Sequence, residues 1–488
     1  MKKGVLVFIA TLFITFLQLN NPLSNGRHIL ALQQFEAAKQ AFNRQDYATA
    51  QQLAQQALKN APESPAPWLL IGNCYYLQGQ DQAALDHYSI ALKLDPHIGH
   101  LPPFIEDLRQ KGSTAEESLH LTPGKLFTLR KKIGQMIMVS VPGTKLSGQK
   151  KMMLEAGWIG GVILFSQNVQ SKEQIARYVD NLQANAPTPL FVAVDQEGGS
   201  VRRFREKQGF KTLPSQAALG KTESPRLAYR FGRLSGQQLR DVGANLNLAP
   251  VVDIDYGMVD SIISKYHRSL GNKPEVISSL SQEIVRGMRS KNVIATAKHF
   301  PSQSLAAINP HEGVATSGIS LAELERWDFL PYRRLIEKNL LDAVMLSHVV
   351  YKNVDPNFPA SLSSIMIRNL LRKQLGYQGL VISDDLKMDA IKQRYPLDVS
   401  VVQAVNAGVD VLLVTDNYER RVMDSVVNAV VAGKIPMKNI DDAYHRIMAT
   451  KGKYGILTLA RKAPSESRQA GTKGKPLQVV LKPSPQVN

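Results

Sequence analysis

Five stretches of this chain place ionisable side chains directly after short apolar runs. Asp195, in Asp195-Gln196-Glu197-Gly198-Gly199, follows Leu190–Val194, and Asp253 and Asp255 close and follow Asn245–Val252. Lys298-His299 follow Val293–Ala297, His348 follows Ala343–Ser347, and Asp384-Asp385 follow Gly379–Ser383. A carboxylate can act as a nucleophile or base, and an imidazole can exchange protons near neutral pH. Lysine and arginine donate hydrogen bonds to hydroxyl and carbonyl oxygens. A cup of such groups suits a substrate rich in hydroxyls whose transition state gains positive charge. Any one of them alone reads equally well as a loop carboxylate or a satisfied histidine. Their recurrence at one kind of position points to a shared site.

That position defines the fold. Eight apolar strand candidates run from Leu121 to about Leu457: the five above, together with Gly134–Val141, Gly161–Phe165 and Val409–Thr415. Amphipathic stretches such as Glu173–Gln183 and Pro274–Arg289 lie between most of them. Alternating strands and helices predict an α/β chain of parallel βαβ units. Eight units fit a (β/α)8 TIM-type barrel, whose site lies at the C-terminal ends of the strands. The doubly wound alternative lacks its glycine fingerprint after an early strand.

The motifs themselves carry a resemblance. Asp195-Gln196-Glu197-Gly198-Gly199 with Val201 and Arg203, Asn247 to Asp253, His267-Arg268-Ser269-Leu270-Gly271, Ala297 to Pro301, and Ser383 to Met388 occur in this order. Together they resemble the signature segments of glycoside hydrolase family 3, in its single-barrel β-N-acetylglucosaminidase branch. The resemblance implies a retaining exo-glycosidase that hydrolyses terminal β-N-acetylglucosamine from cell-wall fragments or related glycans. It implies Asp384 as nucleophile, forming a glycosyl-enzyme. It assigns sugar binding to Asp195, Arg203, Arg268, Lys298 and His299, and makes Asp385 a supporting acid. The branch carries an Asp-x-His pair on the loop after the Lys-His-Phe-Pro segment, the histidine serving as acid/base. Here those positions are Asn309, Pro310 and His311, and Ser302-Gln303-Ser304-Leu305 replaces the family's Gly-His-Gly-Asp. Asn309 brings no charge to stabilise an imidazolium, and Pro310 stiffens the loop. Three readings follow: an active hydrolase with a retuned acid/base loop, a catalytically impaired sugar-binding or scaffold protein, and another family 3 activity such as a glucosidase or phosphorylase.

The N-terminal part differs in kind. Trp68, Ile71, Gly72, Tyr75, Ala84, Tyr88, Ala91 and Pro96 fall on the tetratricopeptide pattern, and one period earlier stand Gln34, Ala37, Ala38, Ala41, Ala50, Ala54, Ala57 and Pro62. Residues 27–110 are expected to form this all-α module, with a further helix at Pro103–Gln110. Its groove would hold a protein partner, or the module would serve as a spacer. Lys2 and Lys3 followed by Val5–Leu19 read as a signal peptide or N-terminal anchor over 1–26, predicting export to the periplasm or cell envelope. A polar linker is expected over 111–120, the barrel over 121–457 and a basic disordered tail over 458–488. The net charge of +18 is spread along the chain and reads as general solubility or as attraction to anionic polymers or lipid headgroups; without a recognition motif it does not predict nucleic-acid binding. The single cysteine, Cys74, forms no internal disulfide and reads as a core residue. No cofactor is implied, and no metal-ligand spacing appears.

Overall fold

The computed structural model describes residues 25–44, 46–78, 80–95, 123–258, 261–306 and 315–458. The expected leader, helix 103–110, linker and most of the C-terminal tail lie outside these residues, as do Asn309, Pro310 and His311.

Four helices open the described chain: α1 (Asn25–Asn43), α2 (Tyr47–Asn60), α3 (Pro65–Leu77) and α4 (Asp81–Leu94). Asp46 begins α2 by accepting the Thr49 amide at 3.1 Å. That bond satisfies one of the donors a helix start leaves open. The alanines of the repeat pattern, except the half-buried Ala37, are buried in one cluster with Phe35, Leu70 and Cys74. Gly72 is small for a physical reason: a Cβ there would stand 2.6 Å from the Tyr88 ring. The Tyr88 hydroxyl donates to Asn73 Oδ1 at 2.8 Å, fixing α4 against α3. Burial pushes the Cys74 thiol up to about 12, consistent with a packing role.

A second, separate core belongs to a parallel barrel. Its strands are β1 (Ile137–Ser140), β2 (Gly161–Leu164), β3 (Phe191–Val194), β4 (Leu246–Asn247), β5 (Ile294–Phe300), β6 (Ala343–Leu346), β7 (Leu380–Ile382) and β8 (Leu412–Val414). From β1 to β7 each strand pairs in parallel with the next, and β8 pairs with β1. A parallel bridge between Ile382 and Val411 closes the circle. All eight expected strands are present, in order. Three differ in extent from their apolar runs: Gly134–Met136 finish the helix Pro123–Met136, only Leu246–Asn247 of Asn245–Val252 form a strand, and β5 runs on through Lys298 and His299 to Phe300. Apolarity alone does not distinguish a buried helix turn from a strand.

Serines start several of the outer helices. Ser171 caps Lys172–Ala184, and Ser224 caps Pro225–Asp241. The helices Pro225–Asp241 and Pro274–Arg289 approach through glycine, since a Cβ on Gly232 would fall 2.0 Å from the Ile284 carbonyl oxygen. The last helix, Met437–Lys453, reaches under the barrel. Lys451, fully buried, donates to Gln135 Oε1 (2.7 Å), the Gly160 carbonyl (2.9 Å) and the Pro189 carbonyl (2.7 Å). These acceptors precede β1, β2 and β3, so one ammonium ties three strand entrances together. Burial in this carbonyl nest pushes Lys451 down to about 7.

The glycine contact yields an expectation. Gly232→Ala should force the two helices apart and cost about 1–3 kcal/mol, the usual range for overpacking. A lowered thermal midpoint with unchanged far-ultraviolet circular dichroism checks it.

Candidate active site

The C-terminal ends of the strands carry a connected set of charges. Asp195, just after β3, receives Lys298 Nζ on Oδ1 at 2.8 Å and Arg203 on Oδ2 at 2.9 Å. Lys298 also meets Glu197 Oε1 at 2.7 Å. Arg268 grips Glu197 with two parallel bonds of 2.8 Å. Bidentate pairing of this kind is among the stronger charge-assisted contacts. Glu197, Lys298 and Arg268 are nearly covered, whereas Asp195 and Arg203 stay partly open. The Arg203 guanidinium also lies over the Phe165 ring at 5.4 Å.

Burial alone would raise the Glu197 carboxyl, but Arg268 and Lys298 outweigh it and hold it down to about 2. The same contest leaves Asp195 well below the usual carboxylate range, through Lys298 and Arg203. Burial opposes the charge on Lys298, and its two carboxylates hold its pKa above the ordinary value. All members are therefore ionised at neutral pH. Each oxygen of Asp195 keeps acceptor capacity for a further donor.

His299 belongs to a second unit. Its Nδ1 lies 2.8 Å from Asp253 Oδ2, and its amide donates to Asp253 Oδ1 at 3.2 Å. The Gln303 amide donates to the same oxygen at 3.0 Å. The pairing of β5 with β6 shifts register between Lys298 and Phe300. Such a bulge re-aims a side chain, and here neighbouring Lys298 and His299 both engage carboxylates of the cup.

Asp384 follows β7. Its Oδ1 accepts the Asp385 amide at 2.8 Å. Burial raises its pKa, yet the nearby imidazoles of His348 and His299, with that amide, bring it below the ordinary aspartate value. Asp385 turns away from this role: it accepts the Lys387 amide (3.1 Å), the Thr415 amide (3.1 Å) and the Thr415 hydroxyl (2.6 Å). His348 fixes the same turn. Its Nε2 contacts the Asp385 carbonyl at 2.9 Å and its Nδ1 contacts Ser361 Oγ at 2.7 Å. A carbonyl only accepts, so Nε2 carries the proton and Nδ1 receives the serine hydroxyl. Burial lowers the His348 pKa, and the neighbouring Asp384 and the Asp385 carbonyl oppose that shift.

The structure thus joins Asp195, Arg203, Arg268 and Lys298 through Glu197, and sets His299 and Asp384 in a common electrostatic field. Glu197 lay inside a noted motif but was not singled out; its hub role depends on Arg268, seventy-one positions away. Asp328 gave no signal in sequence. It is buried beside Ser302 and accepts the Tyr256 hydroxyl at 2.9 Å. Burial pushes its carboxyl up to about 7, and the hydrogen bond from Tyr256 offsets only part of this. Gln303 Oε1 and Ser304 Oγ, in the turn that precedes residue 307, are buried without a hydrogen-bond partner among the described residues.

A closed parallel barrel with carboxylates, cations and imidazoles gathered at its strand ends has the arrangement of a barrel enzyme's active site. The comparisons fix the family. The glycosyl hydrolase family 3 N-terminal domain matches residues 128–450, and the chain belongs to that family; it is a glycoside hydrolase. A tetratricopeptide repeat matches residues 30–97. A β-hexosaminidase of Stenotrophomonas maltophilia is 32% identical over 351 residues, covering 70% of this chain and 99% of the relative. One of Hydrogenovibrio crunogenus is 37% identical over 287 residues, covering 58% and 78%. A family 3 β-N-acetylglucosaminidase from Paenibacillus superposes with a TM-score of 0.64 at 35% identity, over 67% of this chain and 63% of that one. The chain therefore spans somewhat less than two thirds of that solved relative.

The buried Asp328 has a pH consequence. Its folded pKa lies above the ordinary carboxylate value, so between about pH 4 and pH 7 the unfolded chain holds fewer protons than the folded one. Its contribution to stability falls as pH rises through that window. Asp328→Asn cannot ionise, so its melting temperature relative to the unsubstituted protein should rise between pH 5 and pH 8. A difference that stays flat with pH contradicts the assignment.

Proposed function

We propose that this enzyme removes terminal β-N-acetylglucosamine from cell-wall fragments or related glycans, with retention of configuration. The observation that carries the reading is Asp384. It stands at a strand end, ionised, within the field of His299 and His348 and in one cup with the Asp195–Lys298–Glu197–Arg268 network. The likeness to β-hexosaminidases and to a β-N-acetylglucosaminidase supports the acetamido sugar.

In this reading Asp384 attacks the anomeric carbon as the glycosidic bond breaks. His311 gives its proton to the departing oxygen, and then takes one from the water that releases the sugar. Asp195 accepts from sugar hydroxyls, while Arg203, Arg268, Lys298 and His299 bind or position the sugar. Each such bond contributes about 0.5–1.5 kcal/mol, more where one partner is charged, so selectivity rests on several. The depressed pKa of Asp384 keeps the nucleophile ionised below the ordinary carboxylate range, and the acid limb of the rate profile reflects it. We place the enzyme outside the cytoplasm, carried there by its N-terminal apolar segment, and assign a peptide partner to the tetratricopeptide groove. Among the described residues no helix is long and apolar enough to cross a membrane.

A second reading rests on Asn309. Without a carboxylate at position 309, proton donation weakens, and the extreme of that trend is a sugar-binding protein that does not turn over. Hydrolysis of 4-nitrophenyl β-N-acetylglucosaminide and of a GlcNAc-MurNAc fragment distinguishes the two. Asp384→Ala should abolish both activities. His311→Ala should depress the natural fragment far more than the nitrophenyl substrate, whose leaving group needs little protonation. Sugar binding without turnover on either substrate would establish the second reading.

Restoring the charge supplies a gain-of-function check. General acid–base catalysis contributes about 10²–10⁴-fold, and a neutral orienter weakens it. Asn309→Asp should raise kcat on the natural fragment by about tenfold or more and leave the nitrophenyl substrate nearly unchanged. An unaltered rate on both would remove the loop from the account.

A further inference from the structure

The helix Pro225–Asp241, on the outside of the barrel between β3 and β4, carries Arg226, Arg230, Arg233 and Arg240, all exposed. At 3.6 residues per turn they fall within an arc of about 80°, and they extend over about 21 Å of helix. Gln237 shares the stripe. None of the four arginines forms an ion pair or a side-chain hydrogen bond among the described residues.

The surrounding carboxylates are already engaged. Asp241 is held by Lys172 at 2.7 Å and by Gln237 at 2.6 Å. Glu223, just before the helix, pairs with Lys273 at 3.1 Å. On the helix packed alongside, Glu283 pairs with Arg286, while Glu275 sits at that helix's own exposed start. Four positive charges, unpaired among the described residues, are therefore gathered on one face of a rigid element. Glycine contacts seat that element: a Cβ on Gly287 would stand 2.3 Å from the Tyr229 carbonyl and 2.5 Å from the Arg233 amide.

We propose that this stripe is a binding surface for an extended acidic polysaccharide, separate from the catalytic cup. Guanidinium forks match carboxylate and phosphate oxygens and hold their charge at any physiological pH. A linear row on one helix face suits a linear ligand with anionic groups at intervals. Two other polyanions fit less well. A membrane-surface helix presents an apolar face toward the lipid; here the apolar face, with Ala228, Phe231 and Leu239, is buried in the barrel, and Leu227 is the one exposed large apolar side chain on it. Single-stranded nucleic acid needs aromatic stacking platforms, and the stripe itself consists of arginines and glutamine.

The test uses the full chain and fluorescein-labelled oligogalacturonate, which carries one carboxylate per sugar. Binding is followed by anisotropy at low and at physiological salt. A variant with R226S, R230S, R233S and R240S is compared with one carrying K207S, K338S, K352S and K373S, which removes the same charge from other exposed faces. Circular dichroism and thermal midpoints confirm that both are folded. The proposal expects the stripe variant to bind at least tenfold more weakly at low salt, and the control to change less than threefold. Equal losses in both variants would show diffuse attraction and overturn it, as would no loss in either. Tighter, stripe-dependent binding to duplex DNA or to anionic vesicles would overturn the choice of partner.

Discussion

Glu197 is the constraint on which the cationic half of the cup depends. A carboxylate removed from water is costly, and it persists only when opposite charges and hydrogen bonds replace what water supplied. Here Arg268 and Lys298 supply them, one from the loop after β4 and the other from β5. Lys298 is in turn shared with Asp195 after β3. Three successive strand ends are thus tied by a network whose members cannot relax independently. The partly open Asp195 and Arg203 owe their orientation to the closed part beneath them.

The other half is organised by hydrogen bonds to backbone. Asp253 holds His299 and the start of the turn at Gln303; Asp385 and His348 hold the turn that presents Asp384. The adjacent aspartates divide their work by environment, one surrounded by imidazoles and the other saturated by Thr415 and Lys387. Orientation at Asp384 is thereby separated from charge, and the field at its carboxylate can be set without moving the turn.

Much of this was legible in sequence because it is local. Strand runs, their polar ends and the 34-residue repeat each depend on residues within one or two elements; all eight strands fall within or overlap their expected runs, the fourth much shortened, and the helix Pro274–Arg289 matches its pattern. The residue types of the site were also legible, through the order of the motifs. Distant partners were not. Nothing in a sequence pairs Glu197 with Arg268, His299 with Asp253, or Tyr256 with Asp328, since barrel closure brings these together. The helical end of the run Gly134–Val141 escaped for the opposite reason: a buried helix turn and a buried strand are equally apolar.

The ammonium of Lys451 has a meaning for the order of assembly. Its three acceptors lie at the entrances to the first strands, while the lysine itself sits in the final barrel helix. Together with the pairing of β8 to β1, this makes the first part of the barrel wait for the last. Contacts of such long sequence separation slow folding and leave intermediates exposed. A growing chain would keep its first three strands unsealed until residue 451 arrived, so the barrel matures as a late, concerted event and a C-terminal truncation reaches back to its first strand.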